Sequence, residues 1–425
     1  MNAPDKQLRI CQIGTGFVPV SADVAGGVEK YIHFSSMALQ DLGLDVTVID
    51  MPRANREKTN YRLIEVPLMF RYHGNLVIHF IRGILFGYFA FLELKKQAAI
   101  SRFDIISFHS QLTAPFAIAY ARMTGAVSVF TLHNPLWSLP GAFGSPLNRL
   151  TFILESAAER FADLTIFLNR SIARTSIAAL KINPERAAVI PVGIDESMFH
   201  DSVANSEIRF KYAQSDERIV LCVGRIAEYK NQLAIIKAMP IVKREIKNVK
   251  TILVGPVSSL QYYHTIKRAI FEFGLEGSVI IAGKIPLIEL IQLLHMADLV
   301  VMPSFSENMP QSGLEAMAAG KPIIFSRIES LTEYFTSEQG LAVDPHDVDE
   351  VAQAMVKLLS NEELRTRLGR NARRIAWERY RWTVIARALL SKYQDMVEKV
   401  SHSRSRSTAR TASFHLVSKK GDLSI

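Results

Sequence analysis

Residues 303–322 read PSFSENMPQSGLEAMAAGKP, directly after the apolar run LVVM at 299–302, and lead into PIIF at 322–325. The stretch spells strand, loop, helix, strand. Pro310 suits a first helical turn, where its missing N–H would have no intrahelical partner anyway. The helix then runs to about Ala319 and stops at Gly320, with Pro322 beyond. Working outward, the alternation repeats. Apolar runs at 8–13, 45–50, 103–108, 127–132, 164–168 and 188–190 are followed by others at 218–223, 251–254 and 278–282. Helical patterns separate them, and three more helices fill 347–359, 362–377 and 383–400. Such alternation predicts an α/β chain with two doubly wound halves, each a mostly parallel sheet covered on both faces. Two Rossmann-like domains facing a central cleft would place ligands beyond the carboxyl ends of the strands.

Composition narrows the function classes. The chain has 425 residues, 48% hydrophobic and 21% charged, which excludes a wholly disordered protein. Cys11 and Cys222 exclude a disulfide framework or a four-cysteine zinc site. Both lie in apolar runs, as buried thiols of a reducing compartment do. The start, MNAPDKQLRI, lacks the apolar core of a signal peptide. The net charge of +9 is partly a tail effect, since the last 25 residues carry five Lys/Arg and one Asp. That surplus suits anionic lipid or phosphorylated ligands, and no Arg–aromatic stripe points to specific nucleic-acid binding.

The loop and helix at 303–322 carry the chemistry. Glu307 falls in the loop and Glu315 about one turn inside the helix. Backbone N–H groups from Asn308 to Ser312 would point at a ligand, and a helix N-terminus favours phosphate. Two carboxylates beside a phosphate site would accept hydrogen bonds from hydroxyls. Phosphate with several hydroxyls describes a nucleotide sugar.

The spacing Glu-x7-Glu within Pro-Ser…Glu…Leu-Glu-Ala-Met-Ala-x-Gly-x-Pro resembles the signature of glycosyltransferase family 4. These are retaining, nucleotide-sugar-dependent enzymes of the two-domain GT-B fold. The resemblance implies that Glu315 bonds the donor ribose and Glu307 the donor sugar. Asn308, Met309, Gln311, Ser312, Gly313 and Leu314 complete the donor-binding segment. Many members have Gly directly after the first glutamate, where this chain has Asn308-Met309. VGRIAEYKN at 223–231 resembles the family's Gly-Arg-Leu…Glu-Lys-Gly/Asn pattern. Arg225 and Lys230 would converge on the donor diphosphate and stabilise the charge that grows as it leaves. Gly26-Gly27-Val28-Glu29 resembles the Gly-Gly-x-Glu loop that meets the same diphosphate. His133 resembles the family's histidine at the reaction centre, and His109 another position lining the cleft. Pro191-Val192-Gly193-Ile194-Asp195 resembles the interdomain hinge. The helix after Tyr380-Arg381-Trp382 resembles the one that crosses back to the first domain.

These readings divide the chain into an acceptor-side domain at 1–198, a junction at 199–216, and a nucleotide-sugar-binding domain at 217–380. A returning helix at 381–400 and a basic disordered tail at 401–425 follow. No metal or other cofactor is expected, because no acidic or histidine pair has metal-site context; Asp347-Val348-Asp349 reads as a helix start. The reaction expected is retaining transfer from a UDP- or GDP-sugar to a hydroxyl of a lipid-linked or cell-surface glycan. A nucleotide-sugar epimerase and an inactive scaffold are the alternatives.

The segment 76–96, LVIHFIRGILFGYFAFLELKK, bears on localisation. Arg82 and His79 argue against a span. On a helix His79, Arg82, Phe86, Phe89, Glu93 and Lys96 share one stripe, so the segment is either a core helix or an interfacial face. The second reading places Phe86 and Phe89 against an anionic bilayer, on a cytoplasmic protein peripheral to the membrane.

Overall fold

A computed structural model describes residues 7–22, 26–54, 56, 58–68, 76–136, 144–200 and 206–418, side chains of 200, 206 and 403–418 apart. The chain divides into two compact units. Unit 1 holds Met1–Phe167, Ala173–Ile190 and Ala386–Ile425; unit 2 holds Leu168–Ile172 and Pro191–Ile385.

Unit 1 runs β1 (Arg9–Ile13), α1 (Gly27–Asp41), β2 (Asp45–Asp50), β3 (Arg62–Glu65), α2 (Leu76–Ile100), β4 (Ile105–Phe108), α3 (Ala114–Thr124), β5 (Val127–Leu132), α4 (Pro146–Phe161), β6 (Leu164–Phe167), α5 (Arg170–Leu180) and β7 (Ala187–Val189). Its strands pair in parallel in the order β3-β2-β1-β4-β5-β6-β7. Every residue of β4 and β5 is buried. That is why these strands read as continuous apolar runs, as strands covered on both faces do. The order reverses between β1 and β4, and such switch points collect ligands.

Unit 2 runs α6 (Ser197–His200), α7 (Ser206–Tyr212), β8 (Arg218–Val223), α8 (Gln232–Glu245), β9 (Val249–Val254), α9 (Leu260–Glu272), β10 (Val279–Gly283), α10 (Leu287–Met296), β11 (Leu299–Met302), α11 (Gln311–Ala318), β12 (Ile323–Ser326), α12 (Glu329–Thr332), β13 (Gly340–Val343), α13 (Val348–Ser360) and α14 (Glu362–Arg379). All pairs are again parallel, in the order β10-β9-β8-β11-β12-β13, with the reversal between β8 and β11. Two strands, β3 and β13, do not appear among the apolar runs read from sequence. Both are four-residue edge strands with half-exposed positions. Asp347 caps α13, accepting the Glu350 N–H at 2.9 Å.

The structure adds detail at the junction, overturns the disordered tail, and decides between the two readings of 76–96. The junction at 199–216 is helical on both sides of 201–205, which lie outside the described residues. The last helix, α15 (Trp382–Ser418), continues through most of the tail read as disordered. That tail has no Gly or Pro before Gly421 to stop it, and 419–425 lie outside the described residues. Helix α2 is long and apolar enough to cross a membrane by length and composition alone, and at Phe86 it follows the core reading. Phe86 does not face outward. It is fully buried, with Ala90 and Leu94 further along the same helix face. Arg82 is buried too, and its Nε donates to the Gly16 carbonyl at 2.9 Å. The large apolar residues that α2 exposes are instead Leu76, Val77, Ile81, Tyr88, Leu92 and Ile100. The 76–96 stripe was therefore rotated relative to the face that packs.

Helix α4 carries a pH-dependent liability. Glu155 and Glu159 are both buried, and Glu155 accepts the Leu136 N–H at 2.8 Å. Burial pushes Glu155 up to about 8 and Glu159 up to about 7. The folded chain thus keeps protons that the unfolded chain releases from the ordinary carboxylate range upward. Stability from these acids is complete below that range and is lost as pH rises through their folded values. Glu155→Gln keeps an acceptor for Leu136 and removes the titration. Thermal melts should show the variant gaining on the parent as pH rises from about 6 to about 8. An unchanged difference across that window would sink the idea.

Candidate active site

In unit 2 the loops after β8 and β11 are built as one piece. Asn231 adopts a left-handed conformation, φ 52°, which Asn tolerates better than most residues. Its Nδ2 donates to the Pro303 carbonyl at 3.0 Å and the Pro345 carbonyl at 2.8 Å. The Phe305 N–H donates to the Tyr229 carbonyl at 2.8 Å. These bonds hold the Arg225–Lys230 loop against the approach to α11.

Within that frame the two cations share one ring. The Arg225 guanidinium and the Lys230 ammonium each lie 5.7 Å from the centroid of Tyr229. Arg225 is exposed, and its carbonyl accepts from Gln232 Nε2 at 2.8 Å. Lys230 is largely buried and pairs with Glu307, Nζ to Oε1, at 2.5 Å. Ser304 Oγ donates to the same oxygen at 2.8 Å. The sequence gives Lys230 and Glu307 separate partners; the fold gives them each other. Cys222 beneath this loop is buried, and burial pushes its thiol up to about 12, so it is unreactive.

Helix α11 starts at Gln311. The Gly313 and Leu314 N–H groups turn back to the Pro310 carbonyl, at 2.9 and 3.1 Å, and the Gln311 N–H bonds the Met309 carbonyl at 2.9 Å. The expected run of ligand-facing N–H groups from Asn308 to Ser312 is therefore interrupted at Gln311 and at Pro310, which has none. Leu314 is buried in the core of unit 2 and Met309 packs against it, so both side chains serve packing. Gly313 is required sterically: a Cβ there would collide with the Phe335 ring and come within 2.8 Å of Met302 Sδ. Glu315 and Ser312 remain half-buried on α11. Asn308 is held through its backbone and side-chain oxygens by Asn169 Nδ2, at 2.7 and 3.2 Å. Its own Nδ2 is buried without a partner among the described residues. Asn169 and Ser304 were missed from sequence, because only tertiary proximity reveals their roles.

In unit 1 the corresponding loops follow β1, β4 and β5. Gly16 has φ 77°, and a Cβ on it would enter the Phe86 ring at 2.6 Å. Asp50 lies under this loop, accepting the Val20 N–H at 2.8 Å and Arg56 Nη2 at 2.6 Å. Gly26 caps α1 and Gly27 begins it, with the Glu29 carboxylate occupying the space a Gly26 side chain would need. Glu29 is buried and accepts Thr15 Oγ1 at 2.7 Å; burial raises its carboxyl above the usual range. His133 follows β5 and His109 follows β4. Both are buried, 3.1 Å apart from Nδ1 of His109 to Nε2 of His133. Burial pushes His133 down to about 3 and holds His109 well below the ordinary imidazole value, so both rings are neutral near pH 7. Among the described residues no group of three or more His, Cys, Asp or Glu could hold a metal ion.

The family model for glycosyl transferases group 1 matches residues 204–375, and that for Glycosyltransferase Family 4 matches residues 25–197. The chain is 26% identical over 319 residues to the GDP-mannose-dependent alpha-(1-6)-phosphatidylinositol monomannoside mannosyltransferase of Mycobacterium tuberculosis, covering 70% of this chain and 78% of that one. It is 24% identical over 396 residues to the D-inositol 3-phosphate glycosyltransferase of Corynebacterium glutamicum, covering 88% and 92%. In fold it is similar to Anabaena HepE, solved with UDP and glucose, with a TM-score of 0.71 at 19% identity over 91% of this chain and 100% of that one. With two consecutive family models spanning both units, the chain belongs to glycosyltransferase family 4 and is a glycosyltransferase of the GT-B type.

Proposed function

We propose that the protein transfers a sugar, with retention, from a UDP- or GDP-sugar to a hydroxyl of a lipid-linked or cell-surface glycan, without a metal ion. The observation that carries this reading is the cation pair. Arg225 and Lys230 both lie over the ring of Tyr229, on a loop tied to the approach of α11. A guanidinium grips phosphate oxygens in a fork, while an ammonium acts as a point charge. As the glycosidic bond breaks, negative charge grows on the departing diphosphate, and preplaced cations stabilise that state more than the ground state. Lys230 starts the cycle partly neutralised by Glu307. Sharing it with the diphosphate frees the Glu307 carboxylate to accept a sugar hydroxyl. The leaving diphosphate takes the acceptor proton, so no separate base is required. One relative is named for GDP-mannose and the HepE structure holds UDP, which supports a nucleotide donor and leaves the base to experiment.

We place the protein at the cytoplasmic face of a membrane. Val77, Ile81, Tyr88 and Leu92 are exposed on α2, with Lys95 and Lys96 following them. Helix α3 packs on both α2 and α4, and α4 exposes Leu150, Ile153 and Phe161. Exposed apolar residues flanked by cations suit an anionic lipid surface.

The test is incubation with radiolabelled UDP- and GDP-sugars and a lipid extract, with and without chelator. Labelled lipid or glycan with nucleotide release, unaffected by chelator, is expected. A changed sugar still attached to nucleotide would mean an epimerase, and no product with any donor would mean a scaffold. A chelator loss restored by Mg²⁺ would overturn the metal-free part alone.

Calorimetry separates the two carboxylates. Glu315→Gln should weaken binding of free UDP or GDP, since a ribose contact needs no sugar. Glu307→Gln should bind them at least as tightly as the parent, because it releases Lys230, while sugar transfer falls. The opposite ranking would overturn the assignment.

A further inference from the structure

Beneath the loops of unit 1 a directional chain of hydrogen bonds ends at His133. It begins at the Ile32 carbonyl, which accepts the Ser35 hydroxyl at 3.3 Å. With its proton committed there, Ser35 Oγ accepts from Gln12 Nε2 at 3.1 Å, and Ser36 Oγ lies 2.8 Å from the same nitrogen. The Gln12 amide is thereby oriented, leaving Oε1 toward His109 Nε2 at 3.0 Å. An amide oxygen only accepts, so the His109 proton sits on Nε2 and its Nδ1 is a lone pair. That lone pair faces His133 Nε2 at 3.1 Å, which must then carry the proton. Nδ1 of His133 is left as a lone pair, and among the described residues no hydrogen bond reaches it.

We infer that Gln12 and His109 are positioning residues that lock His133 as the neutral Nε2–H tautomer and so present Nδ1 as an acceptor for a substrate hydroxyl. The hydroxyl-bearing substrate rests on the proposed transferase reading; the lock itself does not. The surroundings hold the chain in one state. Tyr31 packs against both rings, 4.9 Å from His133 in an edge-on arrangement and 5.5 Å from His109. The buried Tyr393 phenol neighbours Ser107, whose Oγ lies 3.4 Å from His109 Nε2. Burial raises both phenols, Tyr393 to about 12, so neither supplies charge near neutrality. Desolvation keeps both imidazoles neutral. Gln12 itself is buried and has no charge to exchange with substrate.

The direct test is nitrogen-15 NMR of the full chain labelled at histidine, with the two rings assigned through His109→Gln and His133→Gln. Both rings should be neutral with the proton on Nε2 throughout about pH 5.5 to 8, the range in which an ordinary histidine changes charge. A proton on His133 Nδ1, or a charged ring at neutral pH, would overturn the lock whether or not any donor is turned over. Two variants extend the test to function. Gln12→Leu removes the acceptor, so His133 should become a tautomer mixture and kcat should fall about tenfold, or about 1.4 kcal/mol in the barrier. Gln12→Glu keeps the acceptor but adds a charge that favours the His109 cation. That cation would donate through Nδ1 and push the His133 proton onto its own Nδ1. Gln12→Glu should therefore keep most of kcat near pH 8 and lose it as pH falls, while the parent stays flat. Equal pH profiles for the parent and Gln12→Glu, with His133 unchanged in tautomer, would overturn the positioning role. A merely structural Gln12 would shift melting without touching either readout.

Discussion

Lys230→Ala should lose about 10²–10³-fold in kcat at saturating donor, the loss seen when one transition-state donor is removed, and should melt earlier as well. The two losses come from one side chain for different reasons. The ammonium pairs with Glu307 at 2.5 Å, and the Glu307 side chain is only 7% exposed. Deleting Lys230 strands a carboxylate with Ser304 as its remaining side-chain partner among the described residues. Removing one partner of a buried pair costs up to about 3–5 kcal/mol, because the other charge stays desolvated. The double variant Lys230→Met/Glu307→Gln removes both charges and should recover most of the melting temperature. It should recover none of the turnover, since the ammonium stays missing and Arg225 alone of the pair is left to face the leaving diphosphate. Thermal melts and single-turnover assays on the three proteins would separate the roles. Near-normal kcat in Lys230→Ala would sink the catalytic assignment. A double variant melting as early as the single one would sink the pairing argument.

Phe86→Ser should destabilise unit 1 by about 3–5 kcal/mol, the cost of emptying a buried aromatic site. The ring is fully buried and fills the space against Gly16, which leads into the Gly26 loop. Ile81→Ser/Leu92→Ser should do the reverse. Both side chains are exposed, so the melting temperature should barely move, whereas binding to vesicles of anionic phospholipid should weaken. Each buried apolar side chain contributes about 1.5–3 kcal/mol to a face that leaves water. The two measurements on the two variants give a crossed result. If Ile81→Ser/Leu92→Ser binds vesicles as the parent does, the α2 face is not the docking surface. If Phe86→Ser melts normally, the ring is not core.

The amino-acid sequence alone determined what is local. Apolar runs separated by helical periods are enough to predict two parallel α/β halves, because a strand buried on both faces must be apolar at every position. The β11–α11–β12 unit was legible nearly to the residue, since Pro310, Gly320 and Pro322 act within one turn of their own positions. The edge strands β3 and β13 were not, because half-exposed strands bury too little to leave a continuous apolar run. Pairings across long stretches of chain belonged to the tertiary structure. Lys230 and Glu307 are 77 residues apart, and Gln12 and His109 are 97 apart. No spacing rule links such residues; only the parallel sheets bring the ends of β8 and β11, or of β1 and β4, side by side. The buried face of α2 was likewise undecided by periodicity. A helix apolar nearly all round has no polar side to mark what faces water, so the choice fell to Gly16 and Phe86, which meet only in the folded chain.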